Sequence, residues 1–170
     1  RLTVYDVNAG AVAELASLQA SPAASVAEVA KSSDVIVTML PNSTIVSEVV
    51  GGSGGILDNA RAGALILDMS TVDPETTDRL AKEAYARKMG FVDAPVGRLA
   101  SHADRGESLF MVGGSDGDFA RVKPLLEAMG TTIYHCGSVG SGTKTKLVNN
   151  FLAVSSCQMN AEALALSQCF

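Results

Sequence analysis

The chain has 170 residues, of which 47% are apolar and 18% charged, a composition typical of a globular domain rather than of a disordered segment. The net charge of −5 and an aromatic content of 5% disfavour nucleic acid as a partner, because its phosphates would be repelled. No apolar run reaches the roughly 18 residues that a membrane span needs, and no secretory leader is recognisable.

Apolar runs that suit strands alternate with helical patterns along most of the chain. The first four runs are nearly continuous, which is typical of strands buried on both faces. The alternation predicts βαβ units and an α/β fold with a doubly wound, mainly parallel sheet. The predicted strands are Leu2–Tyr5, Val35–Leu40, Ala64–Asp68, Phe91–Ala94, Leu109–Gly113 and Thr132–Tyr134, and the predicted helices cover 9–19, 24–32, 43–50, 74–89 and 116–129.

Two predicted helices carry recognisable end signals. Ser70, Thr71 and Asp73 precede Pro74, which places capping residues and an early proline at a helix start. Gly130 follows the last residue of the fifth helix, and we expect it to end that helix as the glycine just beyond the cap.

The first predicted strand ends at Asp6, and Asn8 then opens a helix. In dinucleotide-binding folds an acidic residue at such a strand end binds the adenosine ribose, about 20 residues after a glycine loop. No such loop precedes Asp6, so we expect the first βα unit to be missing; the alternative is that Asp6 only caps a turn. The glycine-rich run 51–55 follows a helical pattern and is interpreted as a flexible surface loop.

From Gly140 onward the pattern changes. Residues 143–170 contain neither proline nor glycine, and apolar side chains fall on almost every side of the helix that they predict. One small sheet domain cannot bury such a helix. We therefore expect it to pack against a second domain or another subunit that the chain does not contain.

Polar segments follow the predicted strands at the edge where open parallel sheets bind ligands. The segment 38–42 either lines a ligand or is a plain strand-to-helix turn. In the segment 68–74, the hydroxyl groups of Ser70 and Thr71 either bind an anion at a helix start or only cap the helix. Arg98 follows a third strand and either holds a carboxylate, sulfonate or phosphate with two hydrogen bonds or remains in solvent.

Lys146, Asn149 and Asn150 have i, i+3, i+4 spacing and share one face of the long helix. Buried polar groups need partners, and a partly buried lysine has a lowered pKa and can exchange protons near neutral pH. Lys144 lies about 200° away around the helix and is expected to face water. The alternative is a helix start with a solvated Lys146.

The cysteine and histidine content predicts no metal site. Three cysteines show no C-x-x-C spacing and are expected to be reduced thiols. His102 and His135 are too isolated to form a metal cluster. Structural or solvated roles are therefore expected for both histidines.

Together the segments resemble the β-hydroxyacid dehydrogenase family. Three family motifs occur in order and at family spacing, and the resemblance runs from Leu2 to the end of the chain. The motif D-x-S-T-x-x-P is met by Asp68, Ser70, Thr71 and Pro74, D-A-P-V by Asp93 to Val96, and G-x-G-x-x-x-K-x-x-N-N by Gly140, Gly142, Lys146, Asn149 and Asn150.

The resemblance implies a Rossmann domain that a long helix joins to an all-helical domain, in an enzyme that forms dimers or tetramers. Residues 1–139 would be the NAD(P)-binding domain without its N-terminal unit. Residues 140–170 would be the start of the interdomain helix, with the helical domain itself absent. The expected location is the cytoplasm, or the mitochondrial matrix for a eukaryotic protein.

The implied activity is hydride transfer between NAD(P) and a small anionic 3-hydroxy acid or its semialdehyde. Lys146 would be the catalytic lysine, and Asn150 would hold it and the substrate. Asp6 favours NAD, with NADP as the alternative cofactor. The implied cofactor-binding residues are Asp6, Leu40, Pro41, Asn42 and Thr71, and the implied substrate-binding residues are Ser70, Gly97, Arg98 and Asn149.

One departure from the family pattern concerns the substrate. Most members have P-V-S-G-G where this chain has Pro-Val followed by Gly97, Arg98 and Leu99. The Gly-Arg pair resembles the sulfolactaldehyde reductases, but Leu99 and Ala153 replace hydroxyl residues of those enzymes, so both a sulfonate and a carboxylate remain open. The alternatives are an inactive binding or scaffold relative and a 6-phosphogluconate-type dehydrogenase, which would need more basic residues than Arg98 alone.

Overall fold

The computed structural model describes all 170 residues of the chain. Strands and helices alternate as predicted, although four elements of two to four residues, β2, α4, β6 and α6, were not predicted because such short segments show no periodicity. The elements are β1 (Thr3–Val4), α1 (Ala9–Ser17), β2 (Ser21–Pro22), α2 (Val26–Ser32), β3 (Val35–Thr38), α3 (Ser43–Gly51), α4 (Ile56–Asn59), β4 (Leu65–Asp68), α5 (Pro74–Ala86), β5 (Gly90–Asp93), β6 (Val96–Gly97), α6 (Ala100–Ala103), β7 (Ser108–Gly113), α7 (Asp116–Met129), β8 (Gly130–Gly137) and α8 (Ser141–Ser167).

The main sheet has six strands, with β3, β4 and β5 side by side and parallel. Their register pairs Thr38 with Asp68 and Asp68 with Asp93. The carboxyl ends of the three strands are therefore level, and the loops that follow them lie at one edge of the sheet. The prediction of a mainly parallel sheet is confirmed.

Strand β7 reverses direction, which the sequence pattern did not predict. It pairs antiparallel with β5 at Asp93 and Gly113 and with β6 at Gly97 and Leu109, and parallel with β8. Strands β5 and β6 pair with β7 in the same register, so together they form one continuous extended segment along β7. Gly97 lies about 13 Å beyond Asp93 on this segment. An antiparallel neighbour needs no crossover helix, so only the short α6 separates β6 from β7.

The core lies on both faces of the sheet. Ile66 and Phe91 face the helices α3 and α5 on one side, whereas Leu67 and Val92 face α7 on the other. This alternation along β4 and β5 makes the sheet doubly wound, as predicted for a Rossmann-type fold. The members of these clusters on the helices are Val46, Val50, Leu80, Ala81 and Ala84 on the first side and Val122 and Leu126 on the second.

The expectation of burial on both faces fails for β1 and β3. Strand β1 pairs only with β2, in a separate two-stranded parallel sheet, and both of its residues are only half-buried. Strand β3 is the edge of the main sheet; Ile36 is buried, but Val37 on the opposite face is 47% exposed. Of the first four predicted strands, only β4 and β5 combine two strand neighbours with cover on both faces.

Gly130 does not play the role that the sequence suggested. Its φ of −163° is extended backbone rather than the left-handed conformation of a helix-ending glycine, and it already begins β8. A Cβ atom at this position would overlap the carbonyl oxygen of Ser108. The glycine is therefore required by the close approach of β7 and β8.

The long helix α8 is present as predicted, and most of it stands free of the sheet. Gly142 and Thr143, in its first turn, are its only buried residues. Apolar side chains further along are open, with Phe151 72% and Val154 69% exposed. No helix of the chain has the length and apolar character needed to cross a bilayer.

Candidate active site at the carboxyl edge of the sheet

A buried carboxylate ties together the loops that follow β3 and β4. The Asp68 Oδ1 atom accepts hydrogen bonds from the Thr38 hydroxyl at 2.9 Å and from the Ser70 N–H at 3.1 Å. Ser70 Oγ in turn accepts from the Leu40 N–H at 2.9 Å. Burial raises the pKa of Asp68, and the hydrogen bonds from Ser70 and Thr38 oppose that rise. Two predicted site residues, Leu40 and Ser70, are thus brought together.

Ser70 itself is almost completely enclosed, with only 2% of its surface exposed. Its side chain holds the Leu40 loop, so it supports the edge of the site from beneath. Thr71, the next residue, is exposed at the same edge. Substrate contact by Ser70 and nicotinamide contact by Thr71 stay predictions.

Two helices begin next to each other at this edge. The Asn42 Oδ1 atom caps α3 by accepting from the Ile45 N–H at 3.0 Å, and Asp73 caps α5 by accepting from the Thr76 N–H at 2.7 Å. The Asp73 N–H donates to Ser43 Oγ at 3.1 Å, which links the two helix starts. Hydrogen bonding to Ser43 and then to Thr76 lowers the pKa of Asp73 to about 2.

The surface beside these helix starts suits a dinucleotide. Met39 is 65% exposed, and Pro41 is exposed next to it, so apolar surface is available for a flat ring. Helix N-termini carry partial positive charge and free N–H groups, which favour phosphates. The residues present at the ends of β3 and β4 therefore fit a bound nicotinamide cofactor.

Asp6 follows β1, which belongs to the separate two-stranded sheet. It is exposed, and its Oδ1 atom accepts from the Asn8 N–H at 2.7 Å. One oxygen of Asp6 therefore caps a turn, which was the alternative role considered for this residue. Oδ2 makes no hydrogen bond within the chain, and its assignment to a ribose stays a prediction.

A second buried carboxylate, Asp93 at the end of β5, holds the start of α8. Its Oδ1 atom accepts from the Gly140 N–H and its Oδ2 atom from the Thr143 N–H, each at 2.7 Å. Burial raises the pKa of Asp93, and the bonds from Thr143 and Gly140 oppose that rise. Gly140 has a left-handed φ of 86°, a conformation that residues other than glycine rarely adopt.

The first turn of α8 lies directly on the sheet. A Cβ atom on Gly142 would overlap the carbonyl oxygen of Met111 and come within 2.8 Å of the Asp93 carbonyl oxygen. Only glycine therefore allows the helix backbone to approach β5 and β7 this closely. Close packing of the helix on the sheet therefore explains why glycine is needed at position 142 of the third family motif.

Lys146 follows one turn later and is half-buried. It makes no hydrogen bond or salt bridge within the chain, and burial lowers its pKa. Asn150, four residues on, is also half-buried, whereas Asn149 is exposed and lines a shallow open depression of about 450 Å³ that does not include Lys146. Lys144 is exposed and pairs with Asp78 at 3.7 Å.

Gly97 and Arg98 lie where β6 ends. Gly97 is buried, and a Cβ atom there would come within 3.0 Å of the Leu109 side chain. Arg98 is exposed and has a φ of 70°. Its guanidinium donates to the Glu107 carbonyl oxygen at 2.6 Å and to Thr132 Oγ1 at 3.3 Å. The side chain is thus held at the starts of β7 and β8, without a carboxylate partner.

Asp68 and Asp93 were recognised in the sequence only as positions of two motifs, and no role was predicted for either. Both are 1% exposed, and both organise the edge of the sheet by accepting backbone N–H bonds. A signal was present, because an acidic residue at the end of a continuous apolar strand must find hydrogen-bond donors if it is buried. What was absent from the sequence was the identity of those donors.

Comparison with known proteins matches the chain to a family of NAD-binding domains and to named dehydrogenases and reductases. Residues 1–137 match the family described as the NAD binding domain of 6-phosphogluconate dehydrogenase. The chain is 38% identical over 168 residues to the 3-sulfolactaldehyde reductase of Escherichia coli, covering 99% of the chain and 56% of that protein. It is 42% identical over 165 residues to the mitochondrial 3-hydroxyisobutyrate dehydrogenase of Mus musculus, covering 97% of the chain and 49% of that protein.

A solved structure agrees with these relatives. The 3-hydroxyisobutyrate dehydrogenase of Mycobacterium tuberculosis, determined with L-serine, superposes with a TM-score of 0.85 at 30% identity. The match covers 95% of the chain and 55% of that structure. The chain spans about half the length of the curated relatives it matches.

Proposed function

The chain belongs to the β-hydroxyacid dehydrogenase family and carries its NAD-binding domain, and from this membership we propose that the whole protein is an NAD(P)-dependent oxidoreductase. It acts on a small anionic 3-hydroxy acid or the corresponding semialdehyde. The observation that carries the proposal is Lys146, a half-buried and unpaired ammonium group with a lowered pKa. Its helix begins directly against the end of β5.

Residues at the ends of β3 and β4 would hold the cofactor. Leu40, Pro41 and Asn42 follow β3, and Thr71 lies exposed after β4. Asp6 would bind the adenosine ribose and favours NAD over NADP. When bound, the nicotinamide ring supplies or accepts the hydride at the carbon that carries the substrate oxygen.

Lys146 moves the proton that accompanies the hydride. In reduction, its Nζ atom donates a proton to the oxygen of the forming alkoxide and becomes a neutral amine. In oxidation, the neutral amine takes the hydroxyl proton. The lowered pKa brings these two states closer together near neutral pH, and Asn150 on the same helix face would orient the amine.

Arg98 is the group best suited to the anionic end of the substrate. A guanidinium has five N–H donors; two are used by Glu107 and Thr132, so three remain. Because the existing bonds fix the side chain, little further conformational entropy is lost on binding an anion. Ser70, Gly97 and Asn149 are the further substrate contacts that we assign.

We assign residues 1–139 to the cofactor-binding domain and 140–170 to the start of an interdomain helix. The exposed apolar side chains of α8 support this division, because such a surface is normally covered. Burial by a helical domain, in a dimer or tetramer, would provide that cover. The relatives include mitochondrial proteins, and for this protein we propose the cytoplasm, with the mitochondrial matrix as the eukaryotic alternative.

Replacing the lysine tests the assignment. Lys146→Ala in the whole protein is expected to lower kcat by about 10²-fold to 10⁴-fold, because proton transfer is lost. NADH affinity, measured by fluorescence titration, should remain unchanged. Lys144→Ala is the matched control: this lysine is two residues away and paired with Asp78, and its loss should leave kcat in place. Near-normal turnover of Lys146→Ala would refute the proposal.

A substrate panel identifies the anion and the cofactor. Semialdehydes bearing a carboxylate or a sulfonate, each tested with NADH and with NADPH, separate the four combinations. Arg98→Ala should raise KM for the preferred anion more than it lowers kcat. An intact protein that binds NADH and reduces none of these compounds would instead be an inactive binding relative.

A further inference from the structure

We propose that Asp93 is a positioning residue for Lys146: it caps α8 from the neighbouring strand and thereby sets how deeply the lysine is seated against the sheet. This inference deepens the proposed function and rests on it. It concerns a residue that touches neither substrate nor cofactor in the proposed mechanism, and that acts only through the helix it holds.

Helix α8 has no side-chain cap of its own. The first N–H groups of any helix lack partners within the helix and must find acceptors elsewhere. Gly140 offers no side chain, and the two Asp93 oxygens supply the missing acceptors at 2.7 Å. The other five helices of seven or more residues are capped by their own N-cap side chains, Asn8, Ser25, Asn42, Asp73 and Ser115.

The residues around Asp93 leave room for its carboxylate. A Cβ atom on Gly113 would come within 2.5 Å of Asp93 Oδ1, and one on Gly142 would come within 2.8 Å of the Asp93 carbonyl oxygen. Glycines on β7 and on α8 thus make room on both sides of Asp93. The joint between strand and helix has little space to slide.

Lys146 lies on the same face of α8 as the residues of this joint. Lys146 is four residues after Gly142 and three after Thr143, so all three share the helix face that meets the sheet. Gly142 and Thr143 are buried and Lys146 is half-buried, whereas its neighbours Thr145 and Leu147 are exposed. The burial of Lys146 therefore depends on the distance between this face and the sheet.

Neighbouring charges do not provide an alternative control. On α5, Asp78 is paired with Lys144. Strand β7 carries no ionisable residue, and on β8 His135 faces the Gly114 carbonyl oxygen and Asp116. Lys146 forms no salt bridge with Asp68 on β4 or with Asp93, and no hydrogen bond with Tyr134 or Cys136 on β8. Burial is the cause that lowers the pKa of Lys146. Seating of the helix is thus the controlling variable.

The first variant is Asp93→Asn in the whole protein. One end of the carboxamide is an N–H donor, so one of the two cap bonds is lost while the shape is kept. We expect kcat for hydroxy-acid oxidation to fall about 10-fold to 100-fold at neutral pH, as for a small misplacement of a reacting group. KM for NAD should not change.

The pH profile separates positioning from mere destabilisation. In oxidation the neutral amine of Lys146 is the active form, so kcat rises as pH passes through its pKa. Burial holds that pKa below the ordinary value. A looser helix exposes the amine and raises its pKa, so the acid limb of the kcat profile should move to higher pH. The limb position does not depend on how much of the protein is folded.

A second variant changes no charge. Gly142→Ala pushes the same helix face off the sheet and should move the acid limb in the same direction. The control is Thr77→Val, which removes the buried hydroxyl contact between Thr77 and Thr143 at 3.2 Å but leaves the Asp93 bonds. It should lower Tm while the limb stays in place.

Lys146→Ala, measured in parallel, keeps the outcomes apart. Retained turnover in that variant would overturn the proposed function itself. If Lys146→Ala is inactive while Asp93→Asn and Gly142→Ala both keep the wild-type limb, only the positioning role fails. A limb that moves upward in both, and not in Thr77→Val, supports the role; if Asp93→Asn does not fold, Gly142→Ala decides alone.

Discussion

Helices α5 and α8 both begin at the carboxyl edge of the sheet, yet they are anchored in different ways. The start of α5 is local: Asp73 caps it, and Pro74 follows at the first helical position. The start of α8 depends on Asp93, which lies 47 residues before Gly140. The first arrangement is visible within four residues of sequence, whereas the second exists only once the chain has folded.

The difference has a functional meaning. A local cap stabilises a helix wherever the helix lies, but a cap from another strand also fixes where it lies. The buried residues of α8 are confined to its first turn, so its placement on this sheet depends on that turn. Lys146, one turn further on, is therefore held by hydrogen bonds between residues that lie 47 and 50 positions apart in the chain.

Loss of the distant cap should have the largest effect. Asp93→Ala leaves the Gly140 and Thr143 N–H groups without acceptors beside a small cavity, and we expect the free energy of unfolding to fall by about 3 kcal/mol. Urea denaturation followed by circular dichroism measures the change. A loss below about 1 kcal/mol, the size of an ordinary local cap, would mean that the two helix starts are equivalent.

Loss of the local cap should lower the free energy of unfolding by less than loss of the distant cap, and the size of this effect should depend on pH. Asp73→Ala is expected to lower the free energy of unfolding by about 1 kcal/mol at pH 7. The folded pKa of Asp73 is about 2, against 3.8 for the free group, so ionised Asp73 contributes stability above pH 3.8. That contribution is lost as pH falls toward 2.

The difference between wild type and Asp73→Ala should therefore narrow between pH 4 and pH 2. Asp73→Asn is the matched control, because asparagine also caps well but does not ionise. Its stability difference from Asp73→Ala should stay constant over this range. A wild-type advantage that persists unchanged at pH 2 would contradict the role of the ionised carboxylate.

The smallest effect is expected beyond the anchored turn. Phe151 is 72% exposed on α8, and in the 170-residue chain without further domains Phe151→Ala should change the free energy of unfolding by less than about 0.5 kcal/mol. Denaturation of this variant beside Asp93→Ala measures the contrast directly. A loss of several kcal/mol would show that the outer part of α8 is packed rather than free.

Much of the fold followed from pattern, and some of it did not. The continuous runs of β4 and β5 and the end signals of α5 were correct because each is a local property. The reversal of β7 was missed because the apolar pattern of a strand does not reveal its direction. Strand β3 was expected to be buried, but Val37 is exposed because burial depends on neighbours that the pattern does not name.

The same division holds at the candidate site. Residue type and spacing singled out Lys146, Asn149, Asn150 and Arg98 as candidates, and the order of three motifs indicated the family. The sequence by itself determined which chemical groups the chain carries and on which face of a helix they lie, because helix and strand periods are local. Only tertiary structure decided that Asp68 joins two loops and Asp93 seats α8, because a buried carboxylate takes whichever donors the packed chain brings to it.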